Sequence, residues 1–226
     1  MIYQIPDVLK PEEATQLRQK LEKAQWIDGR KSAGPTASLI KTNQEVDQND
    51  PVFQEVAQAV LAGLARNRGF TTKALPLTIT PPQFNRYEKD QAYGLHYDNA
   101  VGPVRGKSGL MRADLSATLF LSDPSDYDGG ELSVEDTYGF HQIKLSAGSL
   151  VLYSAGALHE VKPVTRGARV ACFFWVQSLV ADEQERSILL DLDNALMLLS
   201  RDQPQHPAVS AMTRSYNHLL RKWCEV

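Results

Sequence analysis

D-L-S-A-T-L-F-L-S, Asp114 to Ser122, is a short run of leucine, threonine and phenylalanine with turn-forming residues just beyond it at D-P-S-D-Y-D-G-G, 123 to 130. Composition of that kind, closed off so soon, reads as a strand and not as part of a helix. The same signature recurs on both sides. L-T-I-T, E-L-S-V-E, H-Q-I-K-L, S-L-V-L-Y-S, E-V-K-P-V and R-V-A-C-F-F-W-V are parted by T-Y-G, A-G and T-R-G turns. Seven or eight short antiparallel strands at this spacing predict a sandwich or jelly roll. The fold class expected is mainly β with flanking helices (α+β).

Outside the β region the period changes. P-E-E-A-T-Q-L-R-Q-K-L-E-K-A-Q-W, Pro11 to Trp26, opens with proline and two glutamates and sets Leu17, Leu21 and Ala24 on one stripe. It predicts an amphipathic helix. Pro51 to Asn67 repeats Val52, Phe53, Val56, Val60, Leu61 and Leu64 at helical intervals, so two N-terminal helices should cover one sheet face. Beyond Ser178 a helical period returns, with a last helix over Ala208 to Trp223, giving a C-terminal hairpin that packs on the barrel or forms a homodimer contact. The division expected is residues 1–178, a β domain with N-terminal helices, and 179–226, a helical appendage.

A net charge of -3 and scattered lysines and arginines speak against nucleic acid or an anionic membrane as partner. Cys172 and Cys224 are too few for a disulfide scaffold, and the N-terminus carries neither a signal-peptide pattern nor a span. Both point to the cytoplasm.

The chemistry is sought first at G-L-H-Y-D-N-A, Gly94 to Ala100. With five histidines, an H-x-D spacing arises by chance in roughly one chain in four, so the pair alone decides little. Its place adds weight, because residues two apart in an extended segment project to one side. A third ligand must come from a distant strand. His141 reads as a strand surface residue, His206 as a loop residue and His218 as solvated, whereas His159 follows a glycine-relieved strand end late in the β region. His96, Asp98 and His159 would occupy one face of an octahedron and leave three adjacent positions open, the arrangement of Fe(II) oxygen chemistry. Arg169, opening R-V-A-C-F-F-W-V, would meet the carboxylate of an organic co-substrate if it points inward. Arg166 competes for that role but belongs to the turn.

H-x-D at 96 to 98, His159 and a basic residue ten positions later resemble the prolyl-4-hydroxylase-like branch of the Fe(II)- and 2-oxoglutarate-dependent dioxygenases. Tyr87 and Tyr93 fall where that branch tends to carry tyrosines, whereas Asp90 stands where many relatives have glycine and Arg169 where animal collagen hydroxylases use lysine. The whole chain, with N-R-Y, T-R-G-x-R-V and the helical tail, is similar to the bacterial PKHD-type hydroxylases associated with iron uptake. The resemblance implies a double-stranded β-helix (jelly roll), one Fe(2+) per subunit, 2-oxoglutarate held by Arg169 with the Tyr87 hydroxyl, O2, and L-ascorbate as reductant. The molecule hydroxylated, small molecule or peptide, is not implied. Two other readings share the barrel: a cupin-like metalloenzyme without 2-oxoglutarate, and a non-catalytic iron or oxygen sensor. Ala100 to Arg112, glycine-rich, is either a substrate lid or a surface connection. Asp114 and Glu131 read as strand-end residues, Trp175 as core, and Tyr97 as part of the pocket wall facing away from the metal.

Overall fold

The structure, a computed structural model, describes residues 1–103 and 109–226. The N-terminal part contributes β1 (Ile2–Ile5), α1 (Pro11–Leu21), β2 (Trp26–Asp28), β3 (Gln44–Val46), α2 (Pro51–Arg66) and α3 (Arg68–Ala74). The β region follows with β4 (Pro76–Ile79), β5 (Gln83–Tyr87), β6 (Tyr93–His96), β7 (Val101–Pro103), β8 (Leu110–Arg112) and β9 (Leu115–Phe120). It continues through β10 (Tyr127–Gly129), β11 (Leu132–Asp136), β12 (Gly139–Ile143), β13 (Leu150–Ser154), β14 (His159–Val161), β15 (Val164–Gly167) and β16 (Arg169–Ser178). Two helices close the chain, α4 (Glu183–Asp202) and α5 (Pro207–Trp223).

The opening stretch becomes β9, at the middle of an eight-stranded sheet in the order β1-β13-β9-β16-β5-β3-β2, with β4 alongside the far end of β16. A four-stranded sheet, β12-β11-β14-β6, lies opposite. The period of two on β9 divides its labour. Leu115, Ala117 and Leu119 join Phe174 and Leu152 against Leu17 and Leu21 of α1 and Phe53, Val56 and Val60 of α2. Phe120, on the other side, packs with Val134, Val151 and Val161 between the two sheets. Each such buried leucine or phenylalanine contributes about 1.5–3 kcal/mol, so the helices are held by their apolar stripe. Asp50, whose carboxylate accepts from Val52 N at 2.8 Å, and Pro51 set the start of α2.

Several expectations change. E-V-K-P-V is not one strand: Pro163 has no N–H for a ladder, and the chain leaves the small sheet after Val161 and restarts as β15 against β10. Ile2–Ile5, broken off by Pro6 and by Asp7 at φ 53°, forms an edge strand on β13. The first helix stops at Leu21, and Trp26 begins a strand. The C-terminal hairpin lies beside α3 and closes over Leu75 and Val180, just past the end of β16, with Leu189, Tyr216, Leu219, Leu220 and Trp223. Within Ala100 to Arg112, β7 and β8 pair as a hairpin, and residues 104–108 lie outside the described residues, so the lid expectation falls largely there. No helix among the described residues is long and apolar enough to cross a membrane.

Candidate metal and co-substrate site

The space between the sheets has a partly exposed end, with His96 and Asp98, and a closed end, with Tyr87 and Arg169 buried, and each gathers its own chemistry. At the partly exposed end β6 and β14 run antiparallel with His96 directly opposite His159, their rings 4.2 Å apart. His96 Nδ1–H donates to Gly94 O at 2.7 Å and His159 Nδ1–H to Ala157 O at 3.0 Å. Both bonds reach a carbonyl two residues back, so both rings present the Nε2 lone pair, the form in which imidazole binds a metal. Burial first, then the His159 ring, holds His96 down at about 4, which keeps it neutral.

Asp98, two residues after His96, is oriented by a hydrogen bond that Ser116 Oγ donates to its Oδ2. That oxygen lies 3.8 Å from His159 Nε2, and one ligand atom from each of the three residues falls within 4.8 Å of the others. Two imidazoles and a carboxylate at this spacing suit a divalent cation with open positions. Tyr93 stacks on His96 at 3.6 Å and Tyr153 meets His159 edge-on at 5.1 Å, which fixes both rings. Burial, then Asp98 and Glu45, pushes the Tyr93 hydroxyl up to about 12.

At the closed end β16 pairs with β5 so that Arg169 faces the same side as Tyr87. The guanidinium is 1 % exposed and lies 5.4 Å from the Tyr87 ring and 5.2 Å from that of Phe120. Its Nε and Nη1 have no hydrogen-bond partner, and neither has the Tyr127 hydroxyl, which stands beside it outside bonding geometry. An unpaired buried charge costs several kcal/mol. A carboxylate set against one edge of the guanidinium would take one of these donors together with Nη2, so the donor set suits the far end of a dicarboxylate. Burial raises the hydroxyls of Tyr87 and Tyr127 above the usual phenol range, Arg169 opposing in part, so both are protonated donors.

Other sequence candidates fall away from this space. Arg166 pairs with Asp128 on the surface, His141 with Asp136 at 2.9 Å, His206 caps α5 by accepting from Ala208 N, and His218 is exposed. Tyr97 turns away from the metal side, but at 63 % exposure it faces solvent and not a pocket wall. Asp114 ties Arg112 to Ser178 N. Trp175, expected in the core, is half-buried on the inner side of β16, edge-on to Phe173 at 5.7 Å and opposite Ser116. Asp90 has φ 66°, the left-handed region that favours glycine and that aspartate tolerates. The sequence does not single out Ser116 and Asn85, which only strand alternation anchored on Phe120 and Tyr87 selects, nor Tyr127 and Asn43, which only their place beside Arg169 and Tyr87 does.

Comparison with known proteins agrees with this chemistry. The model of the 2OG-Fe(II) oxygenase superfamily matches residues 82–177, and that of the PKHD-type hydroxylase C-terminal domain matches residues 182–225. PKHD-type hydroxylases from Bordetella pertussis and Pseudomonas paraeruginosa are 48% and 45% identical to the chain over 226 residues, covering all of both sequences in each case. In fold, a Pseudomonas putida prolyl-4-hydroxylase is similar at a TM-score of 0.51 and 23% identity, over 78% of this chain and 92% of that one. A 2OG-Fe(II) oxygenase-family oxidoreductase from Burkholderia pseudomallei reaches 0.55 at 18% identity, over 77% and 84%. Full-length identity near one half, over a double-stranded β-helix with an H-x-D…H cluster in its mouth, makes this chain a member of the PKHD-type hydroxylases, Fe(II)- and 2-oxoglutarate-dependent oxygenases.

Proposed function

We propose that His96, Asp98 and His159 hold one Fe(II) per subunit, and that Arg169, with the Tyr87 and Tyr127 hydroxyls, holds the far carboxylate of 2-oxoglutarate. The observation that carries this reading is the buried Arg169 guanidinium with two unpaired nitrogens, in the same inter-sheet space as the three ligands. It also favours 2-oxoglutarate use over a cupin-like enzyme, whose metal needs no buried carboxylate receptor. With O2, bound iron and 2-oxoglutarate supply the oxidant that hydroxylates a substrate C–H, while 2-oxoglutarate leaves as succinate and carbon dioxide. The chain's own residues orient and shield. Ser116 aims Asp98, the Gly94 and Ala157 carbonyls fix the imidazole tautomers, and Tyr93 and Tyr153 wall off the ligand rings.

We further infer a cytoplasmic enzyme of iron uptake or homeostasis that uses L-ascorbate as reductant and acts on a small molecule or peptide. Its two free cysteines, one of them buried, support the compartment. Residues 1–178 make the catalytic unit, and 179–226 an appendage whose exposed Ile188 and Leu198 support a homodimer contact. Measured on metal-loaded protein, 2-oxoglutarate binding weakens by roughly thirtyfold or more in Arg169→Ala while the metal stays bound. Unchanged affinity would overturn the assignment.

A further inference from the structure

One side of the inter-sheet space is more polar than iron and 2-oxoglutarate require. Residues 41, 43 and 45 alternate along an extended segment, so Lys41, Asn43 and Glu45 share a side, and Asn85 pairs with Glu45 across β3 and β5. Asn85 stands two residues before Tyr87 on β5 and therefore faces the same inner side. All four are polar, yet none is more than 8 % exposed. Lys41 Nζ donates to Glu45 Oε1 and, at 3.0 Å, to Ser32 Oγ, and it lies 5.2 Å from the Tyr93 ring that stacks on His96. Asn85 Oδ1 and both polar atoms of Asn43 have no partner.

The two asparagines separate by what they offer. Asn43 stands beside the Tyr87 hydroxyl, and its Nδ2 is a donor, which suits the co-substrate carboxylate. Asn85 Oδ1 and the Glu45 carboxylate are acceptors, the wrong sign for an anion. Nor is a cation demanded. Lys41 and Arg169 balance Glu45 and Asp98 across the space, and an iron dication balances the 2-oxoglutarate dianion. What Asn85 Oδ1 lacks is a donor, and beside the Lys41–Glu45 pair an uncharged one leaves the charge balance intact.

We propose that Glu45 and Asn85 are specificity-determining residues that accept hydrogen bonds from an uncharged donor group, amide N–H or alcohol O–H, on the molecule to be hydroxylated, with Lys41 holding Glu45 in place. The proposal rests on the reading of the iron and 2-oxoglutarate sites given above.

The test uses full-length protein loaded with Zn(II) in place of iron and with 2-oxoglutarate, so that no turnover occurs, and saturation-transfer NMR with three fragments of similar size: butanamide, 1-butanol and methyl propanoate. The amide or the alcohol gives a saturable signal, and the ester, which has no donor, gives little. Glu45→Gln and Asn85→Leu each weaken that fragment by about fivefold, the worth of one hydrogen bond. Their affinity for 2-oxoglutarate changes by less than about twofold, which also shows that the variants fold. The amide and alcohol arms decide between the two donors. Equal binding of all three fragments, or undiminished binding in both variants, overturns the proposal. So does a large loss of 2-oxoglutarate affinity, which would give these residues to the co-substrate. Failure of the unmutated protein to bind metal or 2-oxoglutarate would instead refute the site assignment beneath it.

Discussion

The two faces of the large sheet are made by the same strands and do opposite work. Along β16, Val170, Cys172, Phe174 and Val176 meet the helices, and apart from Val170 at 5 % they are at most 1 % exposed. Between them Arg169, Phe173 and Trp175 look inward, and there polar atoms go unpaired and aromatic rings stay half-open. A fully apolar interior would be more stable, since an unpaired buried guanidinium is expensive. The outer face therefore carries the stability that lets the inner face be poised for ligands.

Substitutions that separate the faces put this contrast at risk. His96→Ala or His159→Ala should abolish Fe(II)-dependent conversion of 2-oxoglutarate to succinate while the thermal unfolding of the metal-free protein hardly moves; equal turnover would break the inner half of the comparison. Phe174→Ala, on the outer face, should lower unfolding free energy by about 3–5 kcal/mol in denaturant titrations, by removing a ring packed edge-on to Phe70 at 6.2 Å. Arg169→Met should act with the reverse sign, raising the stability of the metal-free protein by about 1–4 kcal/mol while it loses 2-oxoglutarate binding. Loss of stability there would show that the guanidinium is satisfied in the free protein. Smallest is Ser116→Ala, expected to weaken metal affinity by about tenfold through a looser Asp98, with 2-oxoglutarate affinity measured on saturated metal unaltered.

The same contrast explains what could be read from the chain. Outer-face residues such as Leu115, Leu119 and Phe174 announce their strands by composition, so the β region and the helices over it were legible. His96, Asp98, His159 and Arg169 stood out by residue type and order along the chain. Ser116 and Tyr127 did not, because a serine in a strand and a tyrosine after a turn acquire meaning only from the register that sets them opposite Trp175 or beside Arg169. Trp175 misled for a related reason: its neighbours in sequence are apolar, but its neighbours in space are not. Ile2–Ile5, Trp26–Asp28 and Gln44–Val46 are too short to show a period, and pairing alone makes them strands.

His96 lies on the outermost strand of the small sheet, and residues 40–42 fasten that strand to the large one, with Gly94 N donating to Ile40 O and Thr42 N to Ala92 O. The metal would thus bridge two distant stretches of one polymer, with the whole chain from 96 to 159 closed into a ring through a single ion. Such a clip removes loop entropy from the unfolded chain, so an enzyme of this design senses its own loading as cohesion. Starved of iron, it is also the more easily opened along the seam at residues 40–42, where the amides of Thr42 and Gly94 would be the first to exchange with solvent.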